Sequence, residues 1–265
     1  MLKTGMHFGH QSSRWHPKME DFIFAERSGV HIINLEKTQK QLEEALAFVQ
    51  GIVARGGKVL FVGTKRQSQN IVKEYAEACS MPYVNSRWLG GTLTNFGQIK
   101  KVIKKFTKLK DQQAKGELKK YTKKEQLLIS REIKELDVKV GGIESLDKIP
   151  EAIFIVDLRS EKTALNEAKY LGLKIIAMCD TNVNPIGIHY PIASNDDAVK
   201  SIDMVTALIS EAAKEGKKNA VKIFEEQKKA EAKAAAKPAA KKEDKKKEEP
   251  KKEKKVESKV EDSAK

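Results

Sequence analysis

Three short runs of the chain carry apolar residues on both faces: Val59-Leu60-Phe61-Val62, Ala152-Ile153-Phe154-Ile155-Val156 and Ile175-Ile176-Ala177-Met178. Each ends in a turn or polar signal, at Gly63-Thr64, at Asp157 and at Asp180-Thr181-Asn182. Runs of this length with no polar side predict buried parallel strands covered by helices above and below. Helical spacing alternates with them. Residues 38–54 place Leu42, Leu46, Val49 and Val53 on one stripe before Gly56-Gly57, and residues 68–79 place Ile71, Val72, Tyr75 and Ala76 together. A short helix over 162–171 stops at Gly172, and another over 196–215 stops at Gly216. The latter is capped by Asn195, with Asp196 and Asp197 favouring the positive end of its first turn. Alternating β and α units of this kind predict a doubly wound α/β sheet with right-handed crossovers.

Residues 98–148 break the alternation. Ile99, Val102, Phe106 and Leu109 recur at steps of three and four, as do Ile129, Ile133, Leu136, Val140 and Ile143. A polar stretch from Asp111 to Thr122 separates them, and Thr122 with Glu125 forms a T-x-x-E capping box at the start of the second arm. Two heptad-like arms and a turn predict an inserted antiparallel coiled-coil hairpin, sealed mainly by its own stripes. An arm of about 20 helical residues reaches on the order of 30 Å. The expected division is one discontinuous α/β body over 1–97 and 149–227, the hairpin over 98–148, and a Lys/Glu/Ala tail over 228–265. The tail has no aromatic residue and is expected to be disordered, because it cannot bury enough apolar area to offset ordering.

Charge sharpens this division. The chain of 265 residues carries a formal +14. The hairpin holds 15 Lys+Arg against 8 acids, the tail 15 against 9, and the rest is nearly balanced. A neutral body with a basic insertion and a basic tail points to an anionic macromolecule, RNA first. The competing reading is a solvated charged hairpin. Two isolated cysteines, Cys79 and Cys179, suggest buried thiols in a reducing cytosol rather than disulfides or a zinc cluster. The start of the chain shows no secretory signal, and no run approaches a membrane span.

Four clusters carry candidate chemistry. His7, His10, Arg14, Trp15 and Lys18 put cations beside an aromatic ring, a set suited to phosphates and unpaired bases. Gly63-Thr64-Lys65-Arg66 follows a strand and opens a helix, a generic anion site that is not a Walker loop. Arg87-Trp88-Leu89-Gly90-Gly91, continuing through Thr94-Asn95, offers Arg87 and Asn95 to phosphate or sugar, with Trp88 equally suited to a core. Asp180, Asp196 and Asp197, near strand ends and with His10, form a candidate site for a divalent ion, zinc or magnesium; the competing reading makes Asp196 and Asp197 ordinary first-turn residues. No nucleophile elbow or phosphate loop is present, so nothing demands catalysis. A flavodoxin-like nucleotide-binding or metal-binding enzyme is the alternative.

These clusters, in this order, resemble the bacterial small-subunit ribosomal protein S-two family. The matching stretches are Gly5-Met6-His7-Phe8-Gly9-His10-Gln11, Trp15-His16-Pro17-Lys18-Met19, Val30-His31-Ile32-Ile33-Asn34-Leu35-Glu36-Lys37-Thr38 and Phe61-Val62-Gly63-Thr64-Lys65-Arg66. Others are Arg87-Trp88-Leu89-Gly90-Gly91, Gly141-Gly142-Ile143, Asp180-Thr181-Asn182 and Asn195-Asp196-Asp197-Ala198. The resemblance implies a flavodoxin-like body with an inserted hairpin. It also implies a non-enzymatic protein of the cytoplasmic ribosome, at the head–body junction of the small subunit, with no required cofactor. Its partners would be small-subunit rRNA and neighbouring ribosomal proteins, among them the large mRNA-binding protein S-one. The rRNA contacts it implies are His7, His10, Arg14, Trp15, Lys18, Lys65, Arg66, Arg87 and Asn95. Lys100, Lys101, Lys104, Lys105 and Lys108 on the first arm join them. In some members His10, Asp180, Asp196 and Asp197 correspond to a metal cluster. His16 departs from the family, where Asn is common.

Overall fold

The structure, a computed structural model, describes residues 1–220. Its centre is a five-stranded parallel sheet in the order β5-β4-β6-β7-β8. The strands are β4 (Val59–Val62), β5 (Tyr83–Val84), β6 (Ala152–Ile155), β7 (Lys174–Cys179) and β8 (Tyr190–Ala193). Numbered within the sheet this is 2-1-3-4-5, the flavodoxin-like order. The three apolar runs are its central strands because both faces are covered. Leu60, Val62, Ile153, Ile155, Ile175 and Ala177 point into one core. Val59, Phe61, Ala152, Phe154, Ile176 and Met178 point into the other.

Helices divide between the two faces. α1 (Leu35–Ala54), α2 (Gln69–Ala78) and α6 (199–220, running through Gly216, where the sequence reading ends it) cover one. α1 starts three residues earlier than its periodicity suggests, because the Asn34 side chain accepts hydrogen bonds from Glu36 N and Lys37 N. α5 (Lys162–Tyr170) covers the other face, together with the inserted helices α3 (Phe96–Ala114) and α4 (Lys123–Val140). The Thr122–Glu125 capping box opens α4 as the sequence requires. The stripes of α3 and α4 do more than seal against each other. Ile99, Ile103, Phe106, Ile133 and Val140 belong to the same apolar cluster as the sheet residues above. Met1–Lys218 accordingly form one compact unit. The expected tail, 228–265, lies outside the described residues.

A second, three-stranded antiparallel sheet has no counterpart in the sequence reading. It comprises β1 (Phe8–Gln11), β2 (Ile23–Arg27) and β3 (Val30–Ile33), in the order β1-β3-β2. β2 and β3 are joined by Ser28-Gly29, both at positive φ (53° and 74°), the twist that a two-residue hairpin turn needs. This sheet docks over the carboxyl edge of the parallel sheet. His10 N donates to Thr181 Oγ1 (2.9 Å) and His16 N to Thr181 O (2.8 Å). A Cβ on Gly9 would lie 2.6 Å from Thr181 Cγ2, so the approach requires glycine.

Candidate functional site

The carboxyl ends of β4 and β6 flank the point where strand order reverses, the usual ligand crevice of such sheets. Here Lys65, in the turn after β4, fills it. Its ammonium lies 3.3 Å from Asp157 Oδ2, 3.2 Å from Asp196 Oδ1 and 2.6 Å from Asp197 Oδ1. Burial alone would lower the Lys65 pKa, but the hydrogen bond to Asp197 and the charges of Asp196, Asp157 and Asp197 outweigh it and raise it. Beside it, His10 Nδ1 is 3.0 Å from Asp180 Oδ2, and His10 Nε2 is 3.4 Å from Asp197 Oδ2. The hydrogen bond to Asp180 raises the His10 pKa, against a smaller opposing effect of burial. Asp196 is 1% exposed. Burial and the charges of Asp157 and Asp180 push its pKa up to about 7 despite Lys65. Asp157 goes the other way: burial raises it, but Ser160, the Lys65 charge and the Arg159 amide bring it down.

The structure thus brings His10, Lys65, Asp180, Asp196 and Asp197 together. It corrects the reading of Asp196 and Asp197 as first-turn helix residues. Asn195 Oδ1 accepts from Asp197 N (2.8 Å) and Ala198 N (3.0 Å), which caps a bend, and α6 begins only at residue 199. Asp157 completes the group and was visible in the sequence only as the polar stop after an apolar run.

The Arg87–Asn95 loop is built on a residue the sequence did not single out. Glu167 of α5, 8% exposed, accepts from Trp88 Nε1 (3.0 Å), Gly91 N (2.8 Å), Leu93 N (2.9 Å) and Thr94 N (3.2 Å). Trp88 is therefore a core residue, 8% exposed, while Arg87 and Asn95 stand out in solvent. Arg14, Trp15, Lys18 and Arg66 are exposed and His7 is half-buried. The ring of Trp15 rests 5.2 Å from that of His31.

The six lysines of α3, Lys110 included, are exposed. Lys100 Nζ donates to Asp147 O (3.1 Å), and Lys105 pairs with Glu132. Among the described residues Lys101, Lys104 and Lys108 have no ion-pair partner. Their i, i+3, i+7 spacing puts them on one helix face. Lys100, Lys104, Lys108 and Lys115 also line a cleft of about 540 Å³.

The model of the Ribosomal protein S2 family matches residues 1–216. The chain belongs to this family. It is similar to the small ribosomal subunit protein uS2 of Dehalococcoides mccartyi strain 195, at 45% identity over 232 residues, 88% of this chain and 94% of that one. The same protein of Fusobacterium nucleatum is 48% identical over 217 residues, 82% of this chain and 88% of that one. The Salinibacter ruber protein is 47% identical, with 88% and 72% covered. The S2 family is structural and non-enzymatic. Among the described residues no helix is long and apolar enough to cross a membrane.

Proposed function

We propose that the chain is a structural constituent of the small ribosomal subunit that holds small-subunit rRNA with exposed cations displayed by a rigid α/β body. The observation that carries this reading is the lysine face of α3, where Lys101, Lys104 and Lys108 are committed to no carboxylate of the described chain. Lys100 and Lys105 flank that face on an inserted hairpin that acts as an RNA-reaching coiled-coil arm. Arg14, Trp15 and Lys18, with His7 behind them, form a second contact region; Arg66, Arg87 and Asn95 form a third. His10 and Lys65 position the N-terminal sheet and the loop after β4, so that these contacts arrive preorganised. The site proposed is the head–body junction, where neighbouring proteins, the large protein S-one among them, would dock on the body. Crosslinking within purified subunits tests that placement.

The metal reading belongs to the same proposal. Ligand atoms of His10, Asp180 and Asp196 lie within 4.8 Å of one another. Asp157 and Asp197 bring the carboxylates to four, against the Lys65 ammonium with His10 as a neutral imidazole ligand, and this excess fits a small divalent ion of the zinc or magnesium class. Elemental analysis of protein purified without chelator tests it.

The rRNA reading is tested by measuring the salt dependence of rRNA affinity for the full chain and for a Lys101→Glu, Lys104→Glu, Lys108→Glu variant. Each lost phosphate contact removes about 0.7–0.9 from the slope of log K against log salt. A drop of about 2 to 3 is expected, and equal slopes would overturn the reading.

A further inference from the structure

The carboxyl edge of the sheet holds a second cleft, between the start of α5 and the loop after β7. It measures about 250 Å³. Its walls are apolar at Leu158, Leu165 and Val183, and its rim carries Arg159 and Lys162, both exposed. Among the described residues no carboxylate lines it. Lys169 Nζ donates to Ile186 O (3.2 Å), and Asn184 Oδ1 accepts from Ile186 N (3.0 Å), so the wall beyond Asn182 is fastened in place. At the back, Asn182 Oδ1 is shielded from solvent and has no hydrogen-bond partner among the described residues. A buried acceptor left unmade is costly, which makes it a mark of a ligand donor.

From this combination we infer that the cleft receives one unstacked nucleotide of the rRNA, its base between Leu158, Leu165 and Val183 and its phosphate at Arg159 and Lys162. The inference rests on the rRNA reading above. The cleft falls below the roughly 300 Å³ at which drug-sized sites begin, so it takes one ring system and not a stacked pair. A splayed base offers flat apolar faces to the aliphatic walls and an edge of adjacent donors and acceptors to a side-chain amide. The amide of Asn182 carries both, so an exocyclic amino group or ring N–H satisfies the orphaned oxygen. The cations suit the attached phosphate, and an arginine plane also stacks on a base.

The experiment is chemical probing of small-subunit rRNA bound to the full-length protein, with base-specific reagents for Watson–Crick edges and hydroxyl radicals for the backbone. Wild type, Asn182→Leu and Arg159→Gln are compared, each first checked by thermal unfolding. Wild type should protect the edge of one unpaired base. Both variants should lose that protection, keep the backbone footprint, and bind about tenfold more weakly. Base protection unchanged in both variants overturns the inference and leaves the rRNA reading standing. Absence of any footprint with wild type overturns both. Equilibrium dialysis with AMP and GMP is the second arm: micromolar binding that Asn182→Leu abolishes, with no rRNA base protected, assigns the cleft to free nucleotides and overturns the rRNA assignment.

Discussion

Replacing Glu167 by alanine removes one carboxylate that serves four N–H donors of the Trp88–Thr94 loop, with Thr94 Oγ1 also near at 3.3 Å. The donors do not suffer equally. Thr94 is exposed and Gly91 half-buried, so water replaces what they lose. Trp88 and Leu93 are 8% and 1% exposed. Each buried donor left without an acceptor costs about 1–3 kcal/mol, so the pair costs about 4 kcal/mol at mid-range. In a domain of this size that lowers Tm by about 8–16 °C. Glu167→Gln should recover only part of it, because its carbonyl oxygen can still accept from one pair of donors while its NH₂ group faces the other pair with a donor. Acid supplies an independent check. Burial raises the Glu167 pKa, but the hydrogen bonds from Trp88, Leu93, Gly91 and Thr94 overcome this and the net shift is downward. A lowered carboxylate contributes stability above its unfolded value of about 4.3, and that contribution is lost as pH falls through the folded value. The gap between wild type and Glu167→Ala should therefore narrow in acid. Urea unfolding of both proteins at pH 7 and in acid measures this. A pH 7 loss below 1 kcal/mol at unchanged m-value would refute the argument that the loop hangs on this carboxylate.

Two other predictions concern the network and a close approach. Asp196, with its pKa raised to about 7, contributes stability that is fully present below its unfolded value of about 3.9 and is lost as pH rises through 7. Asp196→Asn should flatten urea-measured stability between pH 5 and 7, where parallel curves for variant and wild type would contradict the assignment. Gly142→Ala should cost about 2 kcal/mol, because a Cβ there would lie 2.3 Å from Tyr83 O, whereas Gly90→Ala meets nothing within 4 Å and should stay within about 0.5 kcal/mol. Equal unfolding midpoints for the two glycine variants would show that the first contact relaxes freely.

The parts of the fold that the sequence makes legible are those whose residues answer to local rules. β4, β6 and β7 stand out because a strand buried on both faces must be apolar throughout. The start of α4 stands out because a capping box is written in four consecutive residues. The antiparallel sheet escapes notice because its strands are half-exposed and carry Gly9, His10 and Glu26 in place of an alternating pattern. β5 has only two residues and β8 contains Pro191, too little for periodicity to register. At the site, the motifs reveal Lys65, Asp180 and Asp196 but not their mutual role, since Lys65 meets partners 92 to 132 residues away. Glu167 looks like any charged residue on a short helix, and only the loop folded over it shows otherwise. Asp196 misleads for the opposite reason: an Asn-Asp-Asp start is a strong helix signal, and tertiary charge pairing overrides it.

The pairing of β4 with β6 carries a cost in time. Val59 meets Ala152, so 93 residues separate the partners of the central pair. At synthesis rates of about 5–20 residues per second, the nascent β4 waits roughly 5 to 19 s for the strand that shields it. During that interval the exposed Val59-Leu60-Phe61-Val62 edge is available to other chains, and the hairpin has emerged before the sheet that anchors it exists. Chaperone occupancy on translating ribosomes should therefore rise once Val62 clears the exit tunnel and fall only after Ile155 does.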